Sequence, residues 1–262
     1  AAIMSSPQTP IVTPLPCFLD NYIWHIETVK GDWVVDPGDA DVVLAHQTNR
    51  GKPLAGVLIT HHHLDHTAGI AALVKAFAMP VYGPAEVGEG VSNYISANDV
   101  LTLDGMGSVQ VLDVAAHTLG HIAYYLKDHE LLFCGDSLFS AGCGRLFEGT
   151  PTDLARVMST LTALPATTVI FPTHEYTAAN IHFAEAVEPN NDALKHYGRK
   201  VAALREKNQP SLPTHLALEL AINPFLRSHE RTVVTAASDY AGKPLQPGEQ
   251  TLAALRAWKD AF

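Results

Sequence analysis

The chain has 262 residues, 47% hydrophobic and 17% charged, a composition that fits a folded globular protein and excludes a disordered or collagen-like one. Seventeen basic against twenty-seven acidic residues give a net charge of −10. That balance excludes a broad electrostatic grip on nucleic acid or anionic lipid, so an anionic ligand must be met by a few local cations. Three scattered cysteines are too few for a disulfide framework and point to a reducing compartment, and no apolar run reaches the roughly 18 residues of a membrane span.

Residues 1–10 lack the charged start and apolar stretch of a secretory signal and read as a flexible leader, so the expected location is cytoplasmic. From residue 11 to 174, short β-type runs alternate with turns and occasional helices. Ile23–Thr28 and Trp33–Val35 read as strands around a Lys30-Gly31-Asp32 turn. Asp41–Gln47 reads as a helix, Gly56–Thr60 as a short buried strand and Ala68–Ala78 as an Ala-rich helix. Val109–Ala115, Ile122–Leu126 and Leu131–Cys134 are strand-like again, followed by a helix at Thr152–Ala163 and a strand at Val169–Phe171. Helical patterns then take over at Thr177–Val187, Ala193–Lys207, Leu216–Ala221, Glu230–Ala237 and Glu249–Asp260, separated by prolines. Strands before helices predict an α+β chain, with a layered αββα domain over residues 11–174 and a small helical domain over 175–262.

The sharpest chemical feature is Thr60-His61-His62-His63-Leu64-Asp65-His66, directly after a predicted strand. An extended backbone turns His61 and His63 to one side, and Asp65 and His66 follow where the chain bends into a helix. Four donors in six residues suit a metal site. His117, Asp136 and His174 each lie just past another predicted strand, and loops at one edge of a sheet can gather such groups. Five histidines and two aspartates exceed the needs of one four-coordinate ion, whereas two ions sharing a carboxylate would use all seven.

With these residues the sequence resembles the metallo-β-lactamase-fold hydrolases, whose signature is His-x-His-x-Asp-His with later His, Asp and His ligands. It is more similar still to the glyoxalase II (hydroxyacylglutathione hydrolase) family. That resemblance rests also on Asp20-Asn21-Tyr22, Val35-Asp36-Pro37-Gly38, Gly135-Asp136-Ser137-Leu138-Phe139, the run Gly142–Thr150, His174-Glu175-Tyr176-Thr177, Asn223-Pro224-Phe225 and Arg256–Phe262. It implies a metallo-β-lactamase αββα sandwich with a C-terminal helical, substrate-binding domain, and two divalent metal ions. These would be zinc, with iron and manganese also suited to His and carboxylate donors. His61, His63 and His117 would hold one ion, Asp65, His66 and His174 the other, with Asp136 bridging. The resemblance further implies that a metal-bridging hydroxide attacks the thioester of S-D-lactoylglutathione, releasing glutathione and D-lactate in the second step of methylglyoxal detoxification. Asp65 and Asp136 would be the carboxylates nearest that chemistry.

The same resemblance places Arg145, Phe147, Tyr176, Arg256 and Lys259 on the glutathione portion. Phe147 stands where some relatives carry Tyr. Arg256 and Lys259, three apart on one face of the last helix, would clamp the glycine carboxylate. Asp36 is expected to tie down its Pro-Gly turn or support a ligand histidine, and His121 to be a supporting or core residue. Cys143 needs no catalytic role. A monomer acting on a small-molecule thioester, without nucleic-acid or membrane partners, is expected. The competing readings are a β-lactamase, a one-iron persulfide dioxygenase, an RNA-processing nuclease and a non-enzymatic metal protein. The aspartate at 136, the complete set Asp65, His66 and His174, and the acidic balance weigh against the first three in turn.

Overall fold

In the computed structural model, which describes residues 8–262, β1 (Ile11–Cys17) pairs antiparallel with β2 (Asn21–Thr28) along its whole length. Residues 1–7 of the expected leader lie outside the described residues. Pro14 and Pro16 hide β1 from a strand search, yet they are tolerated because β1 is the edge of its sheet. β3 (Gly31–Val35) returns antiparallel to β2 with Thr28 opposite Gly31, so the hairpin tip is Val29-Lys30 rather than the expected Lys30-Gly31-Asp32. The physical reason is Asp32. It is fully buried, and its carboxylate accepts from Arg50 Nε at 2.5 Å, Arg50 Nη2 at 3.0 Å and Gln47 Nε2 at 3.0 Å.

Arg50 ends α1 (Ala40–Arg50), which starts at an Asp39 cap and stops at Gly51 in the left-handed region. β4 (Leu54–Leu58) runs parallel to β3. The single helix expected at Ala68–Ala78 is instead α2 (Leu64–Thr67) and α3 (Ile70–Phe77), with Gly69 between them. β5 (Val81–Gly83) and β6 (Asn93–Tyr94) extend the sheet in the order β1-β2-β3-β4-β5-β6; at three and two residues they are too short to show a period. Ile23, Val34, Val57 and Ile59 on one face pack with Val43 of α1 and Ile70 and Leu73 of α3.

A second, antiparallel run follows: β7 (Val100–Leu103), β8 (Gly107–Asp113), β9 (Ile122–Leu126) and β10 (Leu131–Gly135). The Tyr124 hydroxyl donates to the Ile59 carbonyl at 2.6 Å, and Ile122 N donates to Thr60 O at 3.0 Å. These bonds tie β9 to the end of β4. All five residues of β9 and of β10 are buried, as the inner layers of a sandwich require. These elements form one compact unit, residues up to Asp113 together with Gly120–Gly135.

The other unit comprises Val114–Leu119 and Asp136–Phe262. Its α4 (Pro151–Thr162) opens with a reciprocal Thr150–Asp153 capping box and a proline in the first turn. β11 (Val169–Pro172) pairs antiparallel with the two-residue β12 (Thr214–His215), which the sequence pattern does not show. α5 (Thr177–Val187), α6 (Asp192–Glu206), α7 (Leu216–Ile222), α8 (Arg231–Ala241) and α9 (Glu249–Ala261) lie close to the expected helices. Ala141, Ile181, Ala184, Leu194, Tyr197, Val201 and Ile222 share one core, and the Glu188–Arg227 pair at 2.7 Å joins α5 to the segment before α8.

Burial alone would raise the pKa of Asp32, but the hydrogen bonds from Arg50 and Gln47 and the nearby charges outweigh it and hold the carboxyl below its ordinary value. Arg50→Met should therefore destabilise the fold by about 2–3 kcal/mol at pH 7. This is less than for a fully enclosed pair, because the Arg50 side chain is 21% exposed. A depressed carboxyl pKa adds stability above the unfolded value and loses it as pH falls. The gap between wild type and variant should thus narrow below about pH 4. Denaturant unfolding at pH 7 and pH 3.5 measures both.

Candidate metal centre

In the first unit the donors hang on the end of β4. His61 and His66 are fully buried, His63 is partly covered and the Asp65 side chain is 38% exposed. Asp36 organises them. Its Oδ1 accepts from Thr60 N at 2.8 Å, and its Oδ2 accepts from Thr60 Oγ1 at 2.7 Å and pairs with His66 Nδ1 at 2.9 Å. The Thr60 hydroxyl has one proton and gives it to Asp36, so its 2.9 Å contact with His61 Nδ1 must be donated by the imidazole. Both rings therefore carry hydrogen on Nδ1 and turn the Nε2 lone pair outward. Asp36 lies on the Nδ1 side of both rings, directly at His66 and through the Thr60 hydroxyl at His61.

Around this set, His66 Nε2 lies 3.2 Å from Asp65 Oδ2, and Asn21 Nδ2 donates to the same Oδ2 at 3.0 Å. His121 stacks face to face on His61, ring centroids 4.3 Å apart. Glu86 accepts from His62 N at 3.0 Å and Gly120 N at 2.7 Å, fixing the backbone of the ligand loop. Gly38 is required by contact, because a Cβ there would lie 1.8 Å from the Asp65 carbonyl oxygen.

The second unit supplies His117, Asp136 and His174, each 5% exposed. Asp136 offers Oδ2 to His117 Nε2 at 3.3 Å and Oδ1 to His174 Nε2 at 3.4 Å, while Thr173 Oγ1 donates to Oδ1 at 2.5 Å. His117 Nδ1 must donate to the Arg145 carbonyl at 2.7 Å, since a carbonyl can only accept. Its Nε2 is likewise the lone-pair nitrogen. A Cβ on Gly144 would lie 2.0 Å from the Asp136 carbonyl, so the Gly-Cys-Gly loop can pass close only with glycine. The Ala115-Ala116 stretch before His117 is held by Arg156 Nη2 on Ala115 O at 3.1 Å and Gly149 N on Ala116 O at 2.9 Å.

Tyr176 stacks on His174 at 4.7 Å with nearly parallel planes, and the exposed Phe147 ring stands edge-on to His117 at 5.2 Å. Arg145 is exposed and Lys259 half-buried. Desolvation, then the charges of Arg256 and Arg145, lower the Lys259 pKa, so these cations lie close enough to repel. Arg256, expected with Lys259 to clamp a carboxylate, is mostly buried. It is 5% exposed, its Nη1 donates to Cys143 O at 2.8 Å, its Nη2 pairs with Asp260 at 2.8 Å, and it lies over the Phe225 ring. The Cys143 carbonyl and the Phe225 ring take the guanidinium inward, and Asp260, one turn further along α9 and 41% exposed, pairs with it from the solvent side.

The donor chemistry fits metal ions. Ligand atoms 2.0–2.1 Å from a tetrahedral ion stand about 3.3–3.4 Å apart, the spacing of Asp136 with each of its imidazoles. Residues 19–174 match the family described as the metallo-beta-lactamase superfamily. The crystal structure of ETHE1 from Myxococcus xanthus shares the fold, with a TM-score of 0.64 at 22% identity over 96% of this chain and 99% of that one. Fold and His/Asp groups together point to a binuclear metal site in a metallo-β-lactamase-fold protein.

Residues 175–262 match the hydroxyacylglutathione hydrolase C-terminus. The hydroxyacylglutathione hydrolase of Shewanella halifaxensis is 49% identical over 257 residues, covering 96% of this chain and 99% of its own length. That of Shewanella pealeana is 45% identical over 262 residues, with 96% and 99% coverage. The chain belongs to the hydroxyacylglutathione hydrolase family.

Asp36→Ala should leave the fold intact but weaken metal retention about 10–100-fold, because two imidazoles lose the group that sets their tautomer and angle. Competition with a chromophoric chelator reads this directly. Unchanged retention would show that Asp36 serves only the turn.

Proposed function

We propose that the protein is a metal-dependent hydroxyacylglutathione hydrolase that cleaves S-D-lactoylglutathione to glutathione and D-lactate. The observation that carries this reading is Asp136, whose two carboxylate oxygens each face the Nε2 of a different buried histidine, as a carboxylate shared by two ions requires. In this reading His61, His63 and His117 would hold one ion and Asp65, His66 and His174 the other, with Asp136 available to both. Zinc is the assignment, and iron or manganese would suit the same donors. When bound, such ions lower the pKa of a water and offset charge on the carbonyl oxygen under attack.

The chain's own residues hold and orient. Asn21 holds Asp65 through one carboxylate oxygen, in position to take up or direct a water proton. Thr173 holds Asp136 from the side. Thiolate, with an unperturbed pKa of about 8.5, leaves with little help from an acid. Cys143 is not the nucleophile in this reading: burial pushes its thiol pKa up, and its Sγ faces Arg256.

Arg145, Lys259, Tyr176 and Phe147 form the glutathione-facing group, with the mutually repelling Arg145 and Lys259 relieved by a carboxylate. Arg256 is assigned to hold the Cys143 carbonyl and so the loop that carries Arg145. Residues 11–174 are the catalytic domain and 175–262 the substrate-binding one. The three cysteines are free and buried, which suits a cytoplasmic enzyme, and we assign a monomer. Among the described residues, no helix is long and apolar enough to cross a membrane.

Incubation of metal-replete protein with S-D-lactoylglutathione, following thioester loss and thiol release, tests the function. Turnover should accompany close to two ions per chain by elemental analysis, and no turnover with both ions bound would refute it. Asp136→Ala should lower kcat far more than it changes KM and should release metal. Normal activity and metal content in that variant would be incompatible with a shared carboxylate.

The two cations of α9 should separate kinetically. Lys259→Ala should raise KM for glutathione thioesters roughly ten-fold with kcat nearly unchanged, and leave a small thioester unaffected. Arg256→Ala should impair both substrates, because it loosens the loop rather than removing a substrate contact. An Arg256→Ala effect confined to glutathione thioesters would return Arg256 to the carboxylate clamp.

A further inference from the structure

Glu219 of α7 and Asn223, which follows it, take no part in the function above, yet they meet at one short turn. Glu219 is fully buried. Its Oε1 accepts from Ala141 N at 2.7 Å and Asn223 Nδ2 at 3.1 Å, and its Oε2 accepts from Ser140 Oγ at 2.8 Å and Thr214 Oγ1 at 2.7 Å. Having given its proton to Glu219, Ser140 accepts in turn from the Tyr197 hydroxyl at 2.7 Å. Asn223 Nδ2 also reaches the carbonyls of Phe139 at 3.1 Å and Gly142 at 3.0 Å.

The turn they enclose, Phe139–Gly142, closes on itself through Phe139 N to Gly142 O at 3.0 Å and Gly142 N to Phe139 O at 3.2 Å. Ala141 within it has φ +60°, a left-handed conformation that residues with a Cβ seldom adopt. The Glu219 carboxylate therefore secures the amide of the one strained residue in the turn. Both ends of the turn lead to metal ligands. The Phe139 ring stands edge-on to His174 and to Tyr176, with centroids 5.7 and 4.9 Å away. Past Gly142 the chain runs through Cys143 to Arg145, whose carbonyl fixes His117 Nδ1.

We propose that Glu219, with Asn223, is a positioning residue of the metal centre: it holds the Phe139–Gly142 turn and through it the orientation of His174 and His117. The inference rests on the metal-dependent reading above. What the site needs from Glu219 is acceptor atoms, not charge. A glutamine can keep one oxygen toward Ala141 N and Asn223 and turn its amide toward the Ser140 and Thr214 hydroxyls, which can accept. Alanine leaves a buried backbone N–H and two hydroxyls unsatisfied.

Metal affinity by chelator competition, with kcat and KM on a thioester, separates positioning from plain stabilisation. Glu219→Ala should remain folded by circular dichroism, bind metal 10–100-fold more weakly and lose kcat with KM within about two-fold. Glu219→Gln should restore metal affinity to within about three-fold of wild type. Glu188→Gln, which weakens the ion pair with Arg227, should lower the melting temperature with metal affinity unchanged. If Glu219→Ala does not fold, Asn223→Ser replaces it and should show the same pattern to a lesser degree. Wild-type metal affinity in folded Glu219→Ala or Asn223→Ser, equal damage from Glu219→Gln and Glu219→Ala, or equal metal loss in Glu188→Gln would each overturn the proposal. The metal readout needs no substrate, so failure of the thioesterase reading is distinguished by absent turnover in a wild type that binds metal normally.

Discussion

A metal-binding imidazole almost always has its far nitrogen held by a hydrogen bond, and in both candidate donor groups that bond is in place. Without it the ring can turn, or protonate the nitrogen that should face the ion. Asp36 and Thr60 pin His61 and His66, and the Arg145 carbonyl pins His117. The pinning groups are themselves held: Asp36 by the amide at the end of β4, and Arg145 by a loop that glycine alone allows to pass Asp136. Each layer fixes the next, so a change two contacts away from a candidate donor can still reach it.

Close backbone approach is the second constraint. Gly38 lets the Asp36-Pro37-Gly38 turn sit against the Asp65 carbonyl, and Gly144 lets the Gly-Cys-Gly loop sit against Asp136. Any side chain at either place would displace the backbone of Asp65 or Asp136. The short motifs around these glycines are steric statements about where ligand-bearing backbone must pass.

The cationic group in the second unit shows how neighbours divide labour. Arg256 and Lys259 occupy one face of α9 and carry the same formal charge. Arg256 is turned inward by the Cys143 carbonyl and the Phe225 ring, while Lys259 is only half-buried. Desolvation and the neighbouring positive charges together lower the Lys259 pKa, so the two cations of α9 differ in setting although they share a face.

The candidate donors could be proposed from the sequence alone, because a strand followed by His61-His62-His63-Leu64-Asp65-His66 places four side chains of metal-binding type in one loop, and His117, Asp136 and His174 each follow an apolar run. The long amphipathic helices were equally legible, since a 3.6-residue period repeats several times in each. Other features were not. β5, β6 and β12 are too short for any period, β1 carries prolines that only an edge position excuses, and Asp32 looks like a turn residue until Arg50 and Gln47 are brought to it. The inward turn of Arg256 and the roles of Glu86, Glu219 and Asn223 depend on partners dozens of residues away. Local spacing determines which side chains can share a loop or a face. Which of them is buried, which nitrogen of a ring faces outward and which carboxylate stands behind a ligand are set by hydrogen bonds across the fold, and those exist only once the chain has packed.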